Sequence, residues 1–160
     1  MKKIFYILII FLFNFNYANS LIEVDITRGN LDPLPVAVSP LHVDIQSDNY
    51  KDPKVKRLGD LISSVVEKNF RSTGLFNPLD KDAFVQKPDI AHLKPRFEDW
   101  SLITAQALVT GKLLIKDEKL KIEFRLWDVA ANKEMIALAF TTTPSNWRRV
   151  AHIISDKIYE

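Results

Sequence analysis

The chain has 160 residues, with 22 basic and 20 acidic side chains, four glycines and no cysteine. So balanced a chain lacks the basic surface that binds the phosphate backbone, and nucleic acid is therefore not an expected partner. Without cysteine the chain forms no disulfide and offers no thiolate ligand, so burial alone must stabilise the fold.

The first twenty residues have the pattern of a secretory signal peptide. Lys2 and Lys3 precede an apolar run at residues 4–13, and Ala18 and Ser20 supply the small side chains that a signal peptidase requires. The run is about half of the roughly 20 apolar residues that span a bilayer, which argues against a permanent anchor. We therefore predict export across a membrane and a formally neutral mature domain, because both lysines leave with the signal peptide.

The mature chain is expected to begin with an arm, residues 21–34. Apolar residues at positions 22, 24 and 26 alternate with acids at 23 and 25, which is typical of a strand. The Gly- and Pro-containing stretch that follows excludes a tight hairpin, so the segment is free to pair with a sheet edge in its own protein or in a partner. An ordinary edge strand fits the same pattern. The predicted partner-binding residues are Leu21, Ile22, Glu23, Val24, Asp25, Ile26, Thr27 and Arg28.

Residues 35–160 are expected to form one domain. A buried strand is predicted at residues 36–38, and apolar residues at helical spacing predict an amphipathic helix at residues 55–70 that ends near Gly74. The chain is then expected to turn at residues 72–80 and to continue irregularly through residues 80–95.

The second half of this domain has clearer periodicity. A short helix at residues 97–103 should carry Trp100 inward. Strands are predicted at residues 105–116, 119–129 and 134–143, and their short connectors indicate an antiparallel meander. Ser145 is expected to cap a last helix that is still in register at Glu160, so we expect the natural protein to continue.

Together these elements predict a two-layer α/β (α+β) sandwich. It would contain a mixed sheet, with the three-stranded antiparallel meander at its centre, and two main helices packed on one face.

No pattern in the chain matches a catalytic or metal-binding motif. The histidines lack the spacing of metal ligands, the acid pairs fit helix first-turn charges and a polar turn, and the mid-helix serines have no nucleophile elbow. These side chains are His42, His92 and His152, Glu98 with Asp99, Asp80 with Asp82, and Ser63 with Ser64. We therefore predict a non-enzymatic protein without cofactor or metal. Trp127, on the polar side of its strand, is expected to pack under the last helix or a loop, and the alternative is that it is exposed or covered by something outside the domain.

Six sequence blocks occur in the order of a known family. They are ITRGNLDPLPVAVSP (26–40), STGLFNPLD (72–80), FEDW (97–100), ALVTGKL (107–113), FRLWDV (124–129) and SDKIYE (155–160). This order resembles the amino-terminal domain family of TolB, the periplasmic component of the Tol-Pal system. The resemblance implies a two-layer α/β domain, followed in the family by a six-bladed β-propeller that this chain lacks and that carries the main contact with the outer-membrane lipoprotein Pal.

The resemblance also implies a role for the arm. In the family the mature N-terminal segment, which corresponds to residues 21–28, contacts the inner-membrane protein TolA or lies against its own protein, so that TolA and Pal binding are coupled. Glu23, Asp25 and Arg28 make this arm more charged than the mainly apolar family pattern. Backbone pairing is the part of the contact that tolerates this difference.

The expected function is that of a monomeric periplasmic adaptor between TolA and Pal, acting in envelope integrity, protein transport and outer-membrane constriction at cell division. Two other functions stay open. A periplasmic hydrolase would need a pocket in which one histidine meets a carboxylate and a nucleophile. A stand-alone ligand-binding module would need the gene to end at Glu160.

Overall fold

Two long helices lie on one face of a mixed β-sheet in the computed structural model, which describes residues 32–45 and 53–160. The strands are β1 (Leu34–Val38), β2 (His42–Ile45), β3 (Phe76–Pro78), β4 (Ala107–Lys116), β5 (Lys119–Asp128) and β6 (Lys133–Thr142). The helices are α1 (Pro53–Lys56), α2 (Leu58–Thr73), α3 (Pro88–Ala91), α4 (Phe97–Leu102) and α5 (Trp147–Tyr159), with 3-10 turns at Lys81–Ala83 and Pro144–Asn146. The predicted signal peptide and residues 21–31 of the predicted arm lie outside the described residues.

The strands form one sheet in the order β3-β1-β4-β5-β6, with β2 also paired to β4. β1 runs parallel to β3 and to the first part of β4, and β2 runs parallel to the second part of β4. β4, β5 and β6 form the predicted antiparallel meander. The mixed sheet is confirmed, but the expected central position of the meander is wrong. Only β4 is central, and β6 is an outer strand, because the chain after β6 becomes a helix on the sheet face.

The main core lies between the sheet and the two long helices. Alternate residues of β5 point into it, and this face also receives the apolar sides of α2 and α5. Its most deeply buried members include Val36, Ile62, Val66, Phe70, Leu113, Ile122, Phe124, Ala151 and Ile154. The predicted packing of two main helices on one face is therefore confirmed.

A second, smaller core covers part of the opposite face. Trp100 of α4 is almost completely buried there, with Ala37 of β1, Leu108 of β4 and Val129 after β5. The inward side chain of Trp100 was predicted correctly. Beyond this cluster the face carries mainly polar and small side chains, and we call it the open face of the sheet.

Three local predictions need correction. The helix predicted at residues 55–70 is divided at Arg57 into α1 and α2, and α2 ends as predicted where Gly74 adopts a left-handed conformation with φ 70°. The predicted turn at residues 72–80 contains strand β3. Ser145 does not cap the last helix, because residues 144–146 form a 3-10 turn and the helix begins at Trp147. The Ser145 hydroxyl lies 2.9 Å from that of Thr143 instead.

No helix within residues 32–45 and 53–160 is both long enough and apolar enough to cross a bilayer.

Candidate partner-binding site

The predicted partner-binding residues all precede the part of the chain that the structure describes. They span Leu21 to Arg28, whereas the first residue that the structure describes is Asp32. Asp32 and Pro33 are exposed, and the Leu34 amide then donates a 2.8 Å hydrogen bond to the Leu75 carbonyl as β1 enters the sheet beside β3. The arm therefore stays a prediction, and the chain that follows it is anchored from Leu34 onward.

Two of the three histidines, which are distant in sequence, meet in the fold. The rings of His42 in β2 and His92 after α3 stack with centroids 4.6 Å apart and planes only 3° from parallel. His92 is buried and its Nδ1 lies 2.9 Å from the Pro88 carbonyl oxygen, while His152 lies elsewhere, with its Nδ1 3.0 Å from the Asn69 amide nitrogen. The stack joins the residue 80–95 connection to the sheet.

Among the residues that the structure describes, the surroundings of this stack do not combine a histidine and a carboxylate with a nucleophile, as a hydrolase would require. A hollow beside His42 is lined by the carboxylate residues Asp60 and Asp89, and its described lining includes no Ser, Thr or Tyr. Elsewhere in the described chain, no group of three or more His, Asp or Glu side chains is placed to hold a metal ion. The stacked pair therefore serves to pack the end of α3 against β2.

A serine and a lysine do come together on the helical face. Lys81 Nζ donates a 2.9 Å hydrogen bond to Ser63 Oγ and lies 2.9 Å from a Glu67 carboxylate oxygen. Ser63 is fully buried and donates its own hydrogen bond to the Asp60 carbonyl oxygen. A buried hydroxyl beside an ion-paired ammonium cannot reach a substrate, so this contact ties the 3-10 turn to α2.

The acid pairs and Trp127 have structural roles. The Asp80 carboxylate accepts a hydrogen bond from the Asp82 amide and caps the 3-10 turn, and Asp99 pairs with Arg96 in the first turn of α4. Trp127 donates its indole N–H to Thr110 Oγ at 2.9 Å and packs edge-on against Phe97. The acids thus have the turn and first-turn roles predicted for them, whereas Trp127 packs against Phe97 of α4 and not under the last helix.

The open face carries a row of paired charges. Glu123 of β5 lies 2.8 Å from Lys121 Nζ and 3.5 Å from Lys112 Nζ. The hydrogen bond from Lys121 lowers the pKa of the Glu123 carboxyl below its ordinary value, and the charges of both lysines add to this effect against a smaller opposing contribution from burial. Arg125 Nε lies 3.0 Å from Glu134 on β6. This face is therefore adapted to water or to a polar partner.

The uncharged edge of the sheet went unnoticed in the sequence. Residues 135–143 contain no charged side chain and no proline, and the structure places most of them in the outer strand β6. The absence of charge was the available signal, but it could be interpreted only after β6 was known to be an edge.

Comparison with known families and relatives gives a consistent result. Residues 22–135 match the family model described as the TolB amino-terminal domain. A Tol-Pal system protein TolB of Pelagibacter ubique (strain HTCC1062) is 67% identical over 157 residues, which is 97% of this chain and 35% of the relative. The chain thus spans about a third of that relative's length.

Solved structures with similar folds include TolB of Acinetobacter baumannii, with a TM-score of 0.59 and 20% identity over 79% of this chain and 27% of that one. The C-terminal domain of LpoB from Salmonella enterica has a TM-score of 0.50 and 6% identity, covering 72% of this chain and 86% of that one. At these identities the likenesses describe the fold alone.

Proposed function

Because the chain belongs to the TolB amino-terminal domain family, we propose that it is the partner-binding domain of a periplasmic adaptor in the Tol-Pal system. The observation that carries this proposal is the 67% identity to a Tol-Pal system protein TolB across nearly the whole chain. In this role the protein acts by binding other proteins and not by catalysis. It joins the inner-membrane protein TolA to the outer-membrane lipoprotein Pal and so contributes to envelope integrity and to constriction at division.

The proposed contact with TolA is made by the arm, through residues 21–28. Its alternating pattern suits an extended strand whose backbone N–H and C=O groups pair with a sheet edge of TolA. Such main-chain pairing accommodates the acids at positions 23 and 25, because strand side chains point away from the plane of the hydrogen bonds. Residues beyond Glu160 in the longer relatives would carry the contact with Pal.

The fold supports a removable arm. Leu34 is already bonded to Leu75, and β1 is held between β3 and β4 by parallel pairing on both sides. Loss of residues before Asp32 would therefore leave every described strand and both cores intact. A chain that lacks the arm can therefore show a binding defect without a folding defect.

The test compares residues 21–160 with residues 32–160 in calorimetric titrations against the TolA of the same organism. We expect binding by the longer chain, no detectable binding by the shorter one, and the same circular dichroism spectrum and urea midpoint for both. Equal heats of binding from the two chains would refute a role for the arm.

A matched pair of substitutions tests the pairing itself. Val24→Pro removes one backbone donor and restrains the chain, whereas Val24→Ala shortens the same side chain and keeps the donor. We expect the proline variant to lose most of the affinity and the alanine variant to lose much less. A larger loss with alanine would show that side-chain burial, and not backbone pairing, makes the contact.

A further inference from the structure

The outer edge of β6 is a long strand edge without a neighbour in the described part of the chain. β6 runs from Lys133 to Thr142, and within residues 32–45 and 53–160 it pairs only with β5. Alternate backbone N–H and C=O groups on its other side therefore point outward. Such a row of groups is a template on which another extended segment can form hydrogen bonds.

This edge lacks most of the features that protect sheet edges. Natural edges are commonly protected by charges, prolines or bulges. Lys133 and Glu134 lie at the start of β6, and the one register shift in its pairing with β5 falls beside Leu126 and Trp127. From position 135 to 143 there is neither charge nor proline. The regular part of the strand is therefore open to pairing.

The two sides of the edge differ in the side chains that they present. Ile136 and Phe140 pack partly against the main core, and Leu138 between them is 40% exposed. On the open face the same strand presents only small residues, Ala137 and Ala139, followed by Thr141. An added strand would thus meet apolar surface on its helical side and free space on its open side.

The charge along this edge is uneven. Near Ala137, Arg125 is paired with Glu134 and Glu123 is paired with two lysines. Near Thr141, a hollow is lined by Lys116, Lys119 and Lys121 with the single acid Asp117. Lys116 and Lys119 lie directly opposite each other across β4 and β5, and like charges at directly opposite positions destabilise a strand pair.

From these features we infer that the free edge of β6 binds an extended segment of a partner protein. The segment that fits has apolar residues on alternate positions, small residues between them, and acidic side chains at the end that lies beside Thr141. The apolar residues would cover Leu138 while the acids would approach Lys119. The two proposals concern different residues, because this one involves β6 and the proposed TolA contact involves residues 21–28.

The direct test uses synthetic peptides of eight residues, with alternating valine and threonine and two glutamates at the end, titrated into isotope-labelled residues 21–160. Because the acidic end could lie at either terminus of the bound strand, both versions are used. We expect one version to bind and to slow the exchange of alternate amides within residues 136–142. Replacing the two glutamates by lysines should weaken binding about fivefold or more. Methylation of alternate peptide nitrogens should abolish it, because strand pairing needs those donors.

Matched substitutions in the protein locate the charge effect. Lys119→Gln should weaken binding of the acidic peptide about threefold, whereas Lys133→Gln at the other end of β6 should leave it unchanged. Both side chains are exposed, so both variants should unfold at the same urea concentration as the parent. Equal effects of the two substitutions would refute the directional charge argument.

Three results would overturn the inference. The first is absence of binding by either acidic peptide at millimolar concentration. The second is concentration-dependent dimerisation of residues 21–160 that protects the β6 amides, since the occupant would then be a second copy. The third is protection of the equivalent amides in a full-length relative without any peptide, since the longer protein would then cover this edge itself.

Discussion

The buried amide of Gln86 is predicted to hold the irregular connection against the sheet. Its Nε2 donates a 3.1 Å hydrogen bond to the Lys94 carbonyl oxygen. Its Oε1 accepts a 2.9 Å bond from the Arg96 amide and a 3.0 Å bond from the indole N–H of Trp100. Both Gln86 and Trp100 are almost fully excluded from solvent. One side chain thus satisfies three polar groups around the second core.

Gln86→Ala removes all three bonds together. Each bond contributes about 0.5–1.5 kcal/mol net, and a buried group left without a partner costs about 1–3 kcal/mol unless water reaches it. Because the indole N–H has no route to bulk water, we expect a loss of about 3 kcal/mol in the free energy of unfolding. This is a large fraction of the 5–15 kcal/mol typical of a domain.

The measurement is urea unfolding of residues 21–160, followed by circular dichroism and tryptophan fluorescence. Gln106→Ala is the matched control, because Gln106 is exposed and only its backbone forms a described hydrogen bond. We expect the control to lie within about 0.5 kcal/mol of the parent. If Gln86→Ala is no less stable than Gln106→Ala, the proposed role of this amide is refuted.

Three further substitutions test other parts of the structure. Gly59→Ala should destabilise the protein, because the added Cβ would collide with the Leu41 carbonyl oxygen. This is the opposite of the usual effect, since alanine is ordinarily the better helix former by about 1 kcal/mol. A stabilised variant in thermal unfolding would contradict the expectation. Glu123→Gln should lose about 0.5–1 kcal/mol at pH 7 and less at pH 3, where more of the carboxyl is protonated. Because its pKa is lowered in the folded state, the ionised carboxylate stabilises the fold at pH values above the ordinary pKa of about 4.3. This contribution is lost as the pH falls through the folded-state pKa. An equal loss at both pH values in urea titrations would count against the ion pair. Thr110→Val should cost about 1–2 kcal/mol by leaving the Trp127 indole without its acceptor, with a shift in tryptophan emission; unchanged stability would show that water replaces the hydroxyl.

Periodicity predicted the elements that bury one clear face. Residues 119–126 alternate strictly, and the structure has β5 at Lys119–Asp128 with alternate residues in the core. The amphipathic pattern at residues 55–70 likewise predicted α2, because a helix that packs on a sheet needs a continuous apolar stripe. In these elements the residues that set the local periodicity are also the residues that form the core.

The short strands could not be predicted in this way. β2 has four residues and β3 has three, too few to establish a period, and both are held by parallel pairing to strands far away in sequence. The stacking of His42 on His92 depends on the same long-range arrangement. The hydrogen bonds of Gln86 also join residues that only the folded connection brings together.

The partner-binding residues illustrate a different limit. Alternation at residues 21–26 indicates strand propensity, but nothing in one sequence says which molecule supplies the neighbouring strand. The family match shows which family this domain belongs to, and the contact between the arm and TolA stays a proposal.

Hydrogen exchange at the amides of residues 22–26 would test the central claim most directly. In residues 21–160 alone we expect these amides to exchange much faster than those of β4 in the sheet interior. Addition of TolA should slow alternate amides of the arm by at least tenfold while leaving β4 unchanged. Arm amides that are as protected as β4 both with and without TolA would contradict the proposed transfer of this strand to a partner.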